Sequence, residues 1–350
     1  LVTADGGTTW YGYEEVNNDA VGGNNRLFAW GANSQGKLGQ NQPGNTNYSS
    51  PVQIPGTTWV RSGAVGASAQ GVAALKSDGT LWSWGYNYTG MLGVNIAQNA
   101  GLQAASSPIQ IPGTTWSNNF VSAGTRMFAT RTDGTLWAWG MMNEGMLAQN
   151  NTTYYSSPVQ IPGTTWSTTS GQLAGGAGGW CMKTDGTMWV WGRNQNGQLG
   201  VNNTTNYSSP IQIPGTGWKS VRSNTSTSNC IVKTDGTLWA VGGGNEGALA
   251  QNNLTDYSSP VQIPGTTWKE VSGGYRYNIA TKTDGTLWMW GSGTYGQLGQ
   301  SSRTQYSSPV QVPGTTWNLI QATQRTSLAI KTDGTLWGWG NNYNGEIGIN

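Results

Sequence analysis

The ionisable side chains of this 350-residue chain are 17 Lys and Arg and 15 Asp and Glu, and histidine is absent. Losing imidazole removes the commonest general base and the commonest metal ligand together. A serine or cysteine nucleophile then lacks its customary base. The carboxylates show no spacing suited to joint acid–base work. Glu14 and Glu15 are adjacent and would face opposite ways on a strand. Glu144 and Glu246 precede a loop glycine in their repeats, whereas Glu346 follows one. Each Asp-Gly-Thr turn offers one carboxylate, short of the roughly six to eight oxygens that calcium takes. No phosphate-cradling signature stands among the glycines. The reading is no catalytic residue, no metal and no cofactor.

Recognition is the chemistry left. Tyr275, Arg276 and Tyr277 form the sharpest cluster, and Trp180 occupies the matching zone two repeats earlier. Arg126, Met127 and Arg325 belong to equivalent variable segments. Aromatics, Met and Arg are enriched at protein interfaces, and aromatics beside amides also suit sugar rings. These seven residues are the candidate ligand contacts, with packing beneath a loop as the competing reading for each. The net charge of +2 gives no drive toward nucleic acid or an anionic membrane. No run of apolar residues is long enough for a transmembrane helix. The chain opens at Leu1 without Met or a signal-peptide core, which reads as processing or as part of something longer.

The elements that position these residues are repeats. Thr283-Asp284-Gly285-Thr286-Leu287-Trp288-Met289-Trp290-Gly291 recurs around Asp78, Asp133, Asp185, Asp235 and Asp333, with a worn copy at Asn24–Gly31. A second phrase, Pro-Gly-Thr-Thr-Trp, marks the same seven units, and nineteen of the 20 Trp belong to the two phrases. Each unit reads as four short strands, in the sixth Thr267–Val271, Asn278–Lys282, Thr286–Gly291 and Ser307–Val312. Asp-Gly predicts a type I′ hairpin turn. The third strand is apolar on both faces, as a sheet stacked between neighbours requires. The fourth, Ser-Ser-Pro-Val-Gln-Ile-Pro, carries a proline at each end and belongs at an edge. Lys76, Arg131, Lys183, Lys233, Lys282 and Lys331 stand two positions before the hairpin aspartates and read as their cross-turn partners. Cys181 and Cys230 lie four and five residues before their aspartates, on opposite strand faces, so no disulfide is expected.

Seven units carry six fourth strands. The expected fold is all-β: a seven-bladed β-propeller of four-stranded blades, its ring closed by N-terminal residues 1–4 completing the last blade.

These phrases resemble the RCC1 (regulator of chromosome condensation) repeat family. The resemblance rests on Val271, Gly274, Ile279-Ala280, Asp284-Gly285, Trp290-Gly291 and Gly296-Gln297-Leu298-Gly299, with further copies at Gly36–Gly39, Gly90–Gly93 and Gly197–Gly200. It implies one RCC1-like β-propeller domain over residues 1–350. Members of that family exchange nucleotides on a small GTPase, sense ultraviolet light or inhibit β-lactamase. The family's histidine before the second strand is here Tyr277 or Thr326, and no GTPase-engaging wedge stands out.

The expected function is a non-enzymatic, surface-displayed recognition module. It would bind a protein or cell-surface glycan through variable loops on one face, without nucleic acid or membrane insertion. Low charge and an Asn/Thr/Ser/Gly surface suit a bacterial extracellular protein or a phage fibre or decoration protein, attached to a larger chain or assembly. The alternative is a regulator of a partner protein, as inhibitor or GTPase exchange factor. An enzyme would need a carboxylate pair brought together by the ring.

Overall fold

The computed structural model describes residues 2–3, 9–14, 26–31, 33–42, 46–60, 65–67, 71–96, 103–223, 227–343 and 347. Among them the regular elements are β-strands and two single-turn 3-10 helices, Ser34–Gly36 and Asn245–Gly247. The strands pair with their sequence neighbours into six four-stranded antiparallel sheets and one three-stranded sheet. The sixth blade consists of Trp268–Gly273, Tyr277–Lys282, Leu287–Gly291 and Tyr306–Val312, in that order. The proline-bearing strand is last in the order, at the edge that a missing N–H requires.

The count of four-stranded blades is therefore corrected from seven to six. The last repeat gives a sheet of Trp317–Ala322, Thr326–Lys331 and Leu336–Gly340. The N-terminal strand does not complete it. Val2–Thr3 pairs instead with Thr9–Glu14 in the first blade, Val2 opposite Tyr11 and Thr3 opposite Trp10. The first repeat is one strand short, because Thr9–Glu14 pairs directly with Arg26–Gly31 through Trp10 and Trp30. A place beside it is thus vacant. A hairpin partner a few residues away closes a far shorter loop than one at the opposite end of the chain.

The hairpin turn also differs from its expected type. Gly79 N–H donates to Lys76 O at 3.0 Å while Lys76 N–H donates to Thr80 O at 2.9 Å. The left-handed residue is Gly79, at φ +78°, and Asp78 is not among the residues with positive φ. This is a type I turn closed by a glycine bulge.

Contacts divide the chain into two compact units. One comprises Leu1–Asn143, Asn151–Ser170 and Tyr343–Asn350; the other comprises Glu144–Asn150 and Gly171–Asn342. Within each, the core lies between successive blades. In the second unit Leu287 and Met289 pack toward the three-stranded sheet, whereas Trp290 packs toward the fifth blade. The two apolar faces of the third strand are thereby both used. Trp290 Nε1 donates to Ala248 O of the fifth blade at 3.0 Å, and Trp191 Nε1 donates to Met146 O at 3.1 Å. In the first unit Trp84 and Trp139 make the same bond to Lys37 O and Met91 O, at 2.8 and 2.9 Å. This accounts for the small residue in the left-handed conformation that ends each of these phrases: Gly39, Gly93, Ala148 and Ala250, at φ +66°, +69°, +56° and +57°. A Cβ on Gly93, at φ +69°, would meet the Trp139 indole nitrogen at 2.6 Å, too close for any side chain. Cys181 and Cys230 are buried thiols outside any disulfide, and burial pushes the Cys230 thiol up to about 12.

Candidate functional site

The repeated Asp-Gly-Thr turns are structural in detail. Asp284 Oδ1 accepts from Thr286 N–H at 2.9 Å and from the Thr286 hydroxyl at 2.6 Å. That hydroxyl accepts from Trp288 Nε1 at 2.9 Å. The relay recurs at Asp78, Asp133, Asp185, Asp235 and Asp333. The threonine hydroxyl is the main reason each carboxyl sits below its ordinary value. The basic residues two positions earlier lie over indoles rather than in ion pairs with those aspartates. Lys282 Nζ is 4.8 Å from the Trp268 ring and 4.3 Å from the Trp288 ring. Lys76, Arg131, Lys233 and Lys331 each sit likewise over two tryptophans, and Lys183 over Trp189. The charge these cations set near the aspartates lowers the carboxyls further, as a smaller effect than the threonine bond.

The loops hold the variable residues, and burial sorts them. Trp180 is buried in the core between the fourth and fifth blades, opposite Ala174 and Val190. Met127 is buried in the core between the second and third blades. Arg126 is buried at the start of Arg126–Arg131, opposite Ala123 and Gly140. Tyr277 is fully buried, and its hydroxyl donates to Thr326 O at 2.7 Å. The same oxygen accepts from Thr323 N–H and the Ser327 hydroxyl, both at 3.2 Å. Burial holds its phenol above the ordinary range. Trp180, Met127, Arg126 and Tyr277 thus pack the blades and present almost no surface to a ligand. Their sequence signal, a large side chain beside a variable loop, does not distinguish the loop's tip from the strand beneath it.

Tyr275, Arg276 and Arg325 remain at the surface of the second unit. Tyr275 is 39% exposed. The Tyr275 N–H donates to Gln324 O at 3.2 Å, which ties its loop to the loop carrying Arg325. Arg276 has φ +60°, a left-handed conformation unusual outside glycine. Its Nη1 pairs with Glu246 Oε1 at 2.8 Å, and its guanidinium lies 5.0 Å from the Tyr275 ring. Burial raises the Glu246 carboxyl, but hydrogen bonds from Ser292 and Arg276 outweigh it and hold the carboxyl below its ordinary value. The bond to Glu246 chiefly holds the Arg276 guanidinium above its own. Arg325 lies 4.5 Å from the ring of Tyr295, which is 40% exposed.

Sequence reasoning named these residues singly but missed their pairing: Glu246 with Arg276, Tyr295 with Arg325, and Glu144 with Arg193 at 3.4 Å. A signal for two of them exists. Glu246 precedes Arg276 by 30 residues, and Tyr295 precedes Arg325 by the same separation. The residue before one blade's loop glycine therefore meets the arginine before the next blade's second strand. The result is a row of Glu246, Arg276, Tyr275, Arg325 and Tyr295 across three successive sheets. Such a row can offer cation, carboxylate and ring faces to a partner; it holds no acid–base pair. Among the described residues no three His, Cys, Asp or Glu gather as metal ligands. Among the same described residues no helix is long and apolar enough to cross a membrane.

A family model described as RCC1-like domain matches residues 26–350. The human E3 ubiquitin-protein ligase HERC2 is 25% identical over 187 residues, 52% of this chain and 4% of that protein. The ultraviolet-B receptor UVR8 of Arabidopsis thaliana is 28% identical over 192 residues, 53% of this chain and 41% of the receptor. The matches thus span less than half the length of these curated relatives. Among solved structures, yeast RCC1 (Prp20) bound to Kap60 aligns with a TM-score of 0.78 at 18% identity, over 92% of this chain and 80% of that one. Prp20p of Saccharomyces cerevisiae, described with its binding to Gsp1p and histones, aligns with a TM-score of 0.79 at 19% identity, over 92% and 82%. At these identities the likeness concerns the fold, that of a β-propeller.

Proposed function

The chain belongs to the RCC1-like domain family, and from that premise we propose that it is a non-enzymatic module recognising a partner protein through the loops of its second unit. The observation that carries this reading is the exposed row of Tyr275, Arg276, Tyr295 and Arg325. Tyrosine and arginine are the side chains in which interface energy concentrates. Arg276 is already engaged by Glu246, so Arg325 is the cation offered outward, 4.5 Å from the Tyr295 ring. The solved relatives described with Kap60, Gsp1p or histones are themselves protein-binding, which supports the same class of partner here. The low charge and the Asn/Thr/Ser/Gly surface support display outside the cell or on a virion, as part of a bacterial or phage protein. Regulation of a partner protein is the second reading, and the same row would serve it.

A photo-crosslinking residue at Tyr275 or Tyr295, with one at Thr234 on an Asp-Gly turn as control, tests the reading. Crosslinks to one protein from the loop positions alone are the expected result. Arg325→Ala with Tyr295→Ala should then weaken that complex by about 2 kcal/mol or more, roughly thirtyfold. Glycan-array binding without any protein partner, or a complex indifferent to both substitutions, would overturn it.

A further inference from the structure

Resting on the reading that the loops bind a protein, we propose that the partner presents an acidic peptide segment carrying a pair of Asp or Glu side chains. Arg303 and Arg325 receive those carboxylates beside the ring of Tyr295.

Charge is unevenly neutralised among the loops of the second unit. The cations of its described loops are all arginine: Arg193, Arg276, Arg303 and Arg325. Its lysines stand at the Asp-Gly hairpins or in first strands, as Lys282 and Lys269 do. Arg193 pairs with Glu144 at 3.4 Å, and Arg276 pairs with Glu246 at 2.8 Å. A third loop carboxylate, Asp256, accepts from Gly244 N–H at 2.9 Å and from Asn196 Nδ2 at 3.1 Å. Arg303 and Arg325 are exposed, and among the described residues neither meets a carboxylate.

The repeats locate the imbalance. Glu246 and Tyr295 each precede a loop glycine, and Asp256 and Gln305 each precede the tyrosine that opens a fourth strand. Leu254 and Arg303 likewise share one position, three residues before that tyrosine. From the fifth blade to the sixth, two carboxylates are thus lost and a guanidinium is gained. Arg325 keeps the place that Arg276 holds, directly before a second strand, but an aromatic ring stands where its acid would be. Gly293 ties Arg303 to the same loop, since a Cβ there would meet Thr304 O and, at 3.2 Å, the Arg303 carbonyl carbon. Two residues on, the Tyr295 ring lies 4.5 Å from the Arg325 guanidinium. A guanidinium beside a ring keeps its fork of N–H groups for a planar acceptor, and a carboxylate meets that fork with two parallel bonds. Complementarity of this kind admits an acidic segment and turns away a basic one.

The test selects a phage-displayed library of random peptides on the full chain and, in parallel, on a variant carrying Arg303→Gln and Arg325→Gln. Peptides enriched on the unaltered chain alone should carry Asp or Glu at about three times the library frequency or more. The leading peptide, labelled with fluorescein and followed by anisotropy, should bind saturably, and its dissociation constant should rise about tenfold or more in the double variant. Tyr295→Glu should raise it likewise, because it restores the acid that Glu246 supplies one blade earlier and engages Arg325 within the chain. Arg193→Gln removes the same charge from a residue already paired with Glu144, and should leave the constant within about twofold. All these side chains lie at the surface, so near-ultraviolet circular dichroism should be unchanged. Peptides that depend on the two arginines yet are no richer in Asp and Glu than the library overturn the proposal and leave protein recognition by the loops standing. A loss in Arg193→Gln as large as in the double variant overturns it too, as a general effect of charge. So does a library that yields no peptide dependent on either arginine; crosslinking from Tyr275, read separately, decides the wider reading.

Discussion

Tyr277 stands where the related repeats often carry histidine, and its hydroxyl performs a joining task between blades. It meets Thr326 O and the Ser327 hydroxyl on the neighbouring sheet, and Thr323 N–H in the loop between that sheet's first two strands. Replacing Tyr277 with Phe removes this donor but leaves Thr326 O with bonds from Thr323 N–H and the Thr323 hydroxyl, at 3.0 and 2.9 Å. The expected cost is about 1 kcal/mol, the lower end for a disturbed buried hydrogen bond. Urea unfolding of Tyr277→Phe should show that loss, and partner binding through Arg325 should be unchanged. A variant that kept its stability but lost binding would return Tyr277 to the ligand contacts. The triplet Tyr275-Arg276-Tyr277 was legible as a cluster from its composition alone. Its division into two surface residues and one core residue was not, because it turns on where the loop ends and the strand begins.

At the scale of elements, the hairpin repeats were readable from Asp-Gly and from alternation, while the partners of their charges were not. A lysine two positions before an aspartate suggests a local ion pair. The antiparallel register instead sets Lys282 directly opposite Trp268, and Lys331 opposite Trp317, so the cation falls between two indoles. That pairing spans a whole loop and leaves no short-range mark. It also frees each aspartate to hold its threonine. Since the folded carboxyls sit below their ordinary values, their contribution is full above the unfolded value near 4 and fades as pH falls through the folded values. Glu246 acts in the same direction. Melting temperature should therefore hold steady from about pH 7 to pH 5 and fall below about pH 4. A variant with all six turn aspartates changed to asparagine should show a shallower acid slope in the same thermal melts. An unchanged slope would assign acid sensitivity elsewhere.

At the scale of the molecule, repetition made the all-β class, the strand order within a blade and the core of facing tryptophans legible. It did not give the number of complete blades, because the first and the last repeat are each short of a strand and the count depends on which of the two Val2–Thr3 completes. Stability in such an array is approximately a sum of blade terms and nearest-neighbour interface terms. In four blades the interface term includes the last tryptophan of the third strand, whose Nε1 reaches back to the loop phrase of the preceding repeat. Trp84→Phe, Trp139→Phe, Trp191→Phe and Trp290→Phe should each cost about 2–3 kcal/mol, from the lost donor and the unfilled volume. Trp339 makes the equivalent bond to Gln297 O at 2.8 Å, but half-buried at the three-stranded sheet. Trp339→Phe should therefore cost less than any of the four in urea unfolding. Hydrogen exchange should quicken in the substituted blade and its predecessor while more distant blades stay protected. Equal losses at Trp339 and Trp290 would mean that the three-stranded sheet is as well covered in solution as the four-stranded blades.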